Sequence, residues 1–138
     1  MIVMDAAGLQ AFLAAEFPQV SGYRLTRVDE AGVGLRLSVQ DRHLRPGGTV
    51  SGPTMFELAD LAMYAALLSR IGPVALAATT SASMDFMRKP AAGRDLTCEC
   101  RLLKLGRLLA VGDVLIWSEG VEGVVARASM TYAIPPQR

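Results

Sequence analysis

Apolar residues fill almost every position from Met55 to Leu68 (Met-Phe-Glu-Leu-Ala-Asp-Leu-Ala-Met-Tyr-Ala-Ala-Leu-Leu), and the run carries only two charges, Glu57 and Asp60. A helix that is apolar around its circumference belongs in a core rather than on a surface, so the pattern predicts a long buried helix. Spacing of three puts both carboxylates on one helical face. Burying an acid is costly unless the group is paired or used, which makes this helix the first place to look for chemistry.

The flanking pattern supplies the other elements. Asp5 is positioned to N-cap a short helix with apolar Leu9, Phe12, Leu13 and Phe17, ending at Pro18. Arg24 to Asp29 and Val33 to Val39 read as strands around Glu30-Ala31-Gly32, the second with Val33, Leu35, Leu37 and Val39 on one face. A turn-rich loop, Gln40 to Gly52, leads to Pro53, which suits the first turn of a helix because its missing N–H does no harm there. The helix is expected to end near Ser69-Arg70, before Gly72-Pro73. Four further strands are predicted at roughly Ala75 to Arg88, Leu96 to Leu105, Leu108 to Ser118 and Val124 to Ile134, with breaks at Pro90-Ala91-Ala92-Gly93, Gly106 and Glu119 to Gly123. The simplest architecture is α+β, one antiparallel sheet of about six strands wrapped around the central helix. Such a sheet has two open edges, and pairing with a second copy is the usual remedy, so a homodimer is expected.

Composition narrows the class. The 138 residues suffice for one domain with a real core. The apolar share of 51% against 20% charged argues against disorder and points to some apolar surface covered by another subunit. A net charge of +1 gives no electrostatic case for nucleic acid or an anionic membrane. Cys98 and Cys100 sit at i and i+2 in a strand-like run, point to the same side and are badly placed to bridge each other. No Cys-x-x-Cys pair or histidine cluster suggests a metal, and a reduced cytoplasmic setting is the default. Acidic Asp5 stands where a signal peptide needs positive charge. The apolar helix falls short of the ~20 residues of a membrane span, so a soluble protein is expected.

The element order, together with Gly48-Thr49-Val50-Ser51-Gly52-Pro53-Thr54-Met55-Phe56-Glu57-Leu58-Ala59-Asp60, resembles the hotdog-fold acyl-CoA thioesterases of the phenylacetic-acid-pathway type. In that family a Gly-x-x-His-Gly-Gly turn is followed, after seven residues, by a catalytic Asp or Glu. Here Ser51-Gly52-Pro53 stands at His-Gly-Gly, and Asp60 falls on the carboxylate. Asp85 to Ala91 is similar to the family's aromatic-apolar-Arg-Pro-Ala strand end with one extra residue, Lys104-Leu105-Gly106-Arg107 to its Lys-x-Gly-Arg turn, and Ala126 to Tyr132 to its closing strand. The likeness runs from about Gly32 to Ile134.

The resemblance implies hydrolysis of an acyl-CoA thioester to a carboxylate and free coenzyme A, with no metal or redox cofactor. Asp60 would activate water or attack the thioester directly. Asp60 lies beyond the first helical turn, where the helix dipole fades, whereas Glu57 has a dipole explanation and a substrate-lining role. The Gly52 N–H at the helix start would polarise the carbonyl. Thr79 falls where the family often has a water-positioning hydroxyl, with Thr80, Ser81 and Ser83 close by. Ser51, Glu57 and Arg45 would line the substrate site, Arg45 standing near the position of a loop asparagine in some members. Arg88, Lys89, Lys104 and Arg107 would meet the coenzyme A phosphates. His43, the lone histidine, reads as structural or solvent-facing. Helical rise of ~1.5 Å per residue separates Gly52 from Asp60 by roughly 12 Å. Both can therefore act on one carbonyl only if they come from different subunits, in a homodimer that the resemblance extends to a dimer of dimers. Three departures, Ser51 for the turn histidine, Pro53 for the second glycine and Arg45 for the asparagine, favour an alternative: a non-catalytic acyl-CoA-binding or regulatory hotdog protein. A hotdog hydratase fits less well, because no Asp-x4-His pair stands at a loop–helix junction.

Overall fold

The computed structural model describes residues 1–136; the expected domain of residues 1–138 also includes Gln137 and Arg138, which lie outside the described residues. In chain order the elements are α1 (Ala6–Glu16), β1 (Tyr23–Asp29), β2 (Gly32–Leu37), a 3-10 turn (Asp41–His43), α2 (Gly52–Ile71), β3 (Ala78–Phe86), β4 (Leu96–Leu105), β5 (Leu109–Ser118) and β6 (Val124–Ala133). The strands form one antiparallel sheet in the order β1-β2-β4-β5-β6-β3. The sheet curls around α2, as the hotdog resemblance implies.

Local chemistry sets the boundaries. The Asp5 side chain accepts from Gly8 N at 2.9 Å and caps α1. Ser51 accepts from Thr54 N and caps α2, with Pro53 in the first turn where its missing N–H is harmless. α2 runs on to Ile71 and stops where Gly72 takes φ +94 and donates to Leu68 O. β2 ends at Leu37, short of the expected Val39, because Val39 N bonds the Asp95 carboxylate instead of a strand. β3 begins at Ala78 rather than Ala75, since Ala77 N closes a turn onto Val74 O.

One inward row of the sheet reads Leu25, Leu35, Cys98, Ile116, Ala126 and Phe86 across all six strands. The next outward row reads Arg27, Gly34, Glu99, Leu115, Arg127 and Asp85, with Arg27 paired to Glu99 and Arg127 to Asp85. Period-two alternation thus turns one face to the helix and the other to water. The core consists of α2 residues such as Leu58, Met63, Leu67 and Leu68 against Leu35, Leu96, Ile116 and Met130, all fully buried.

Two sequence expectations need correcting. The central helix is not enclosed on every side: Pro53, Phe56 and Glu57 are exposed and Asp60 is half-buried. These positions form one stripe at i, i+3, i+4 and i+7, on the side of α2 that the sheet leaves uncovered. Nor are the two sheet edges equally open. The Gln10 amide of α1 donates to Tyr23 O at 3.0 Å and accepts from Leu25 N at 2.9 Å, so it occupies backbone groups of β1 as a neighbouring strand would. β3 has no such seal, and eight of its nine residues are exposed.

α2 packs tightly on β5 at Gly112. A Cβ built on Gly112 would lie 2.6 Å from Met63 Sδ and 3.0 Å from Arg101 O. Gly112→Val is therefore expected to overpack the helix–sheet contact and cost about 1–3 kcal/mol, read as a lower urea midpoint with an unchanged m-value.

Candidate active site

Asp60 reaches the uncovered stripe in the third turn of α2, with the sheet register delivering its partners. Thr79 of β3 and Tyr132 of β6 are directly opposed across the antiparallel ladder, which points both side chains to the same face. Thr79 Oγ1 donates to Asp60 Oδ1 at 2.5 Å, and the Tyr132 hydroxyl donates to the same oxygen at 2.9 Å and to Asp60 O at 3.1 Å. Tyr132 is buried. Burial, and then the facing Asp60 carboxylate, push its phenol well above the ordinary range, so it stays a donor.

Two adjoining cavities open beside Asp60. One, of about 440 Å³, includes Glu16, Ala75, Ala77, Thr79 and Tyr132 in its wall. The other, of about 390 Å³, lies along the helix stripe and is walled by Phe17, Val20, Phe56, Glu57, Leu61 and Tyr64. Phe17 meets Tyr64 edge-on with centroids 6.2 Å apart, and Tyr64 lies 6.1 Å from Tyr132, so aromatic rings flank the carboxylate. Glu57 accepts from the Tyr23 hydroxyl at 2.5 Å. Desolvation and that carboxylate raise the Tyr23 phenol. Glu57 therefore shares the stripe and a cavity with Asp60, but it is tied to β1.

A separate cavity of about 420 Å³ lies at the start of α2, lined by Arg45, Thr49, Gly52, Phe86, Arg88 and Lys89 among others. Ser51 spends its hydroxyl on capping, since it accepts from Thr54 N and donates to Thr54 Oγ1. Pro53 has no N–H, and the Met55 N–H goes to Ser51 O. The Gly52 N–H is left with no acceptor among the described residues. The Phe86 ring covers this glycine: a Cβ there would sit 3.4 Å from Phe86 Cζ. Arg88 donates through Nε to Val124 O at 3.0 Å.

The structure thus brings the expected residues together in two groups, Asp60 with Thr79 and Glu57, and Gly52 with Arg45, Arg88 and Lys89. Gly52 and Asp60 line different cavities. Lys104, late in β4, and Arg107, in the β4–β5 turn, line neither group within one protomer. Sequence reasoning did not give Tyr132 or Tyr23 a site role, because their contacts with the two carboxylates span 72 and 34 positions. The signal for Tyr132 was present as the end of the closing-strand motif.

The sheet curled about one long helix is the hotdog fold, and comparison with known proteins supplies the class. The family pattern described as Thioesterase superfamily matches residues 47–132, and the chain belongs to that superfamily of thioester hydrolases. No curated protein matches. Among solved structures, a protein from Silicibacter sp. TM1040 provisionally described as a thioesterase is 56% identical, covering 99% of this chain and 95% of its own, with a TM-score of 0.92. A mutant form of the phenylacetic acid degradation protein PaaI from Thermus thermophilus is 27% identical over 91% of this chain and 99% of its own, TM-score 0.72. A hypothetical thioesterase from Streptococcus pneumoniae TIGR4, solved with coenzyme A, shares the fold at 20% identity, covering 94% of this chain and 96% of its own, TM-score 0.74.

His43 is structural. It is buried in the loop before α2, its Nδ1 accepts from Gln40 N at 2.9 Å, and its Nε2 has no partner among the described residues. Burial first, and then Arg42, lower its pKa from the usual value. The unfolded chain titrates near 6.5 and the folded chain below it, so in that window the unfolded state binds more protons and stability drops as pH falls. The urea midpoint should decrease between about pH 7.5 and about pH 5.5, and His43→Gln should flatten that slope.

Proposed function

We propose that the protein is an acyl-CoA thioesterase whose active site is completed across a homodimer. The Gly52 N–H of one subunit holds the thioester carbonyl, and Asp60 of the other activates water or attacks. The observation that carries this reading is the separation of the two groups along α2, with one unsatisfied donor at its start and the carboxylate two turns further on. Roughly 12 Å of helix lies between them, too far for one carbonyl to touch both.

The strand edges support the pairing. β3 is long, exposed, free of proline and lysine, and without a side-chain seal among the described residues, whereas Gln10 takes up two backbone groups of β1. Phe86, at the C-terminal end of β3, covers Gly52, and Thr79, near its N-terminal end, holds Asp60. Antiparallel addition of a second β3 about a two-fold axis brings the Thr79 end alongside the partner's Phe86 end. Asp60 of one chain then approaches the partner's Gly52, twice per dimer.

The division of labour follows from the linings. Arg45, Arg88 and Lys89 face the cavity that includes Gly52, and their charge suits the phosphates of coenzyme A. This fits a related fold that holds coenzyme A. In this reading Lys104 and Arg107 meet the same nucleotide from the other subunit. Phe17, Val20, Phe56, Leu61 and Tyr64 offer an apolar cavity beside Asp60 for the acyl group, with Glu57 in its wall, while Ser51 stays at the α2 cap next to Gly52. The carbonyl, polarised by the Gly52 N–H, is attacked, and the C–S bond breaks to release coenzyme A as its thiol. No metal or redox cofactor enters the scheme. A cytoplasmic location and a dimer of dimers belong to the same proposal; no helix among the described residues is long and apolar enough to cross a membrane.

Asp60→Asn should cut thiol release from acyl-CoA by roughly 10²–10⁴-fold, measured on a panel of short, medium, long and aryl acyl-CoAs. Saturable binding by the wild type without thiol release from any of them would move the reading to an acyl-CoA-binding protein. Gly52→Pro and Asp60→Asn chains should each be inactive alone. Co-expressed, they should recover about a quarter of wild-type activity, because half the random dimers carry one intact site. No recovery from mixed dimers that do form would refute the shared site.

A further inference from the structure

Asp60 is held by one oxygen only. Thr79 Oγ1 and the Tyr132 hydroxyl both donate to Oδ1, while no donor among the described residues reaches Oδ2. The same Tyr132 proton is shared with the backbone oxygen of Asp60, which ties the phenol to the helix as well as to the carboxylate. Tyr132 itself has little freedom. It is 3% exposed, lies in the ladder between Ala110 of β5 and Thr79 of β3, and has its ring against Tyr64. A carboxylate with two donors on one oxygen has fixed χ angles, so its other oxygen is held in one direction, on a side chain that lines both cavities.

Accepting the thioesterase reading of the preceding subsection, we infer that Tyr132 is a positioning residue that clamps Oδ1 of Asp60 and thereby makes Oδ2 the reacting atom. As general base, Oδ2 takes a proton from water as the water oxygen bonds to the thioester carbon. Collapse of the tetrahedral intermediate then breaks the C–S bond, and the proton passes to the departing thiolate. As nucleophile, Oδ2 bonds to that carbon and the C–S bond breaks with coenzyme A leaving as its thiolate. Water then cleaves the resulting anhydride, restoring the Asp60 carboxylate and releasing the acid, and the second proton of that water passes to the thiolate. In both routes Oδ1 keeps its two donors throughout, so the clamp need not reorganise between steps. Thr79 has the same duty from the sheet edge, and the β-ladder links the two donors.

Tyr132→Phe keeps the ring and removes only the hydroxyl. Loss of a hydrogen bond to a charged group should lower kcat tenfold to hundredfold. KM for the acyl-CoA should stay within about twofold and the melting temperature nearly constant, since the ring packing survives. A merely structural role would instead lower the melting temperature or raise KM while sparing kcat, and either result overturns the inference. Unchanged kcat in Tyr132→Phe, with Asp60→Asn inactive in the same assay, removes the clamp but leaves the thioesterase reading intact. Full activity of Asp60→Asn removes that reading itself. Should Tyr132→Phe not fold, Thr79→Val takes away the other donor on Oδ1 and must show the same fall in kcat at constant KM.

Discussion

The arrangement of the whole molecule follows from how α2 meets solvent: the helix is dry where the sheet wraps it and open along one stripe. Twelve of its twenty residues are buried, and burying them is what the curled sheet accomplishes. Charge is tolerated only where the wrapping stops, so both carboxylates, with Phe56 and Pro53, fall on the open stripe. A packed apolar interior offers an ionised carboxylate no compensation. The same constraint that builds the core therefore selects where the chemistry can stand.

Placement alone does not make a carboxylate useful, and the two on the stripe differ by what reaches them. Glu57 is bound by a single phenol from β1. Asp60 is gripped at one oxygen by two hydroxyls brought side by side by pairing of β3 with β6. The other oxygen has no donor among the described residues, and Asp60 lines a cavity walled by aromatic and aliphatic side chains. The difference between a tethered acid and an aimed one comes from sheet register rather than from residue type.

The edges of the sheet extend this logic beyond one chain. A glutamine in α1 satisfies backbone groups of β1, so that edge has less to gain from a further strand. β3 retains a free edge and an exposed surface on both faces. Because β3 also touches Asp60 at one end and covers Gly52 at the other, an added copy of β3 would build a site as well as close a sheet. Under the proposed assembly, folding stability and catalytic competence come from the same interface.

Much of this was legible along the chain. The apolar run predicted α2, and alternation and glycine breaks predicted six strands with the β4 limits matched at both ends. The end of β2 and the start of β3 differed because a side chain or a turn took the backbone hydrogen bond, as Asp95 does at Val39 and Val74 at Ala77. Hydrophobic period and helical rise are local properties, so the sequence by itself determined the element order, the core helix and the carboxylates it carries. Only the tertiary structure decided which face of α2 stays open, that Gln10 takes up two backbone groups of β1, and that Tyr132 and Thr79 converge on a single oxygen of Asp60. Those facts depend on strand register and on contacts between residues tens of positions apart, which no local pattern encodes.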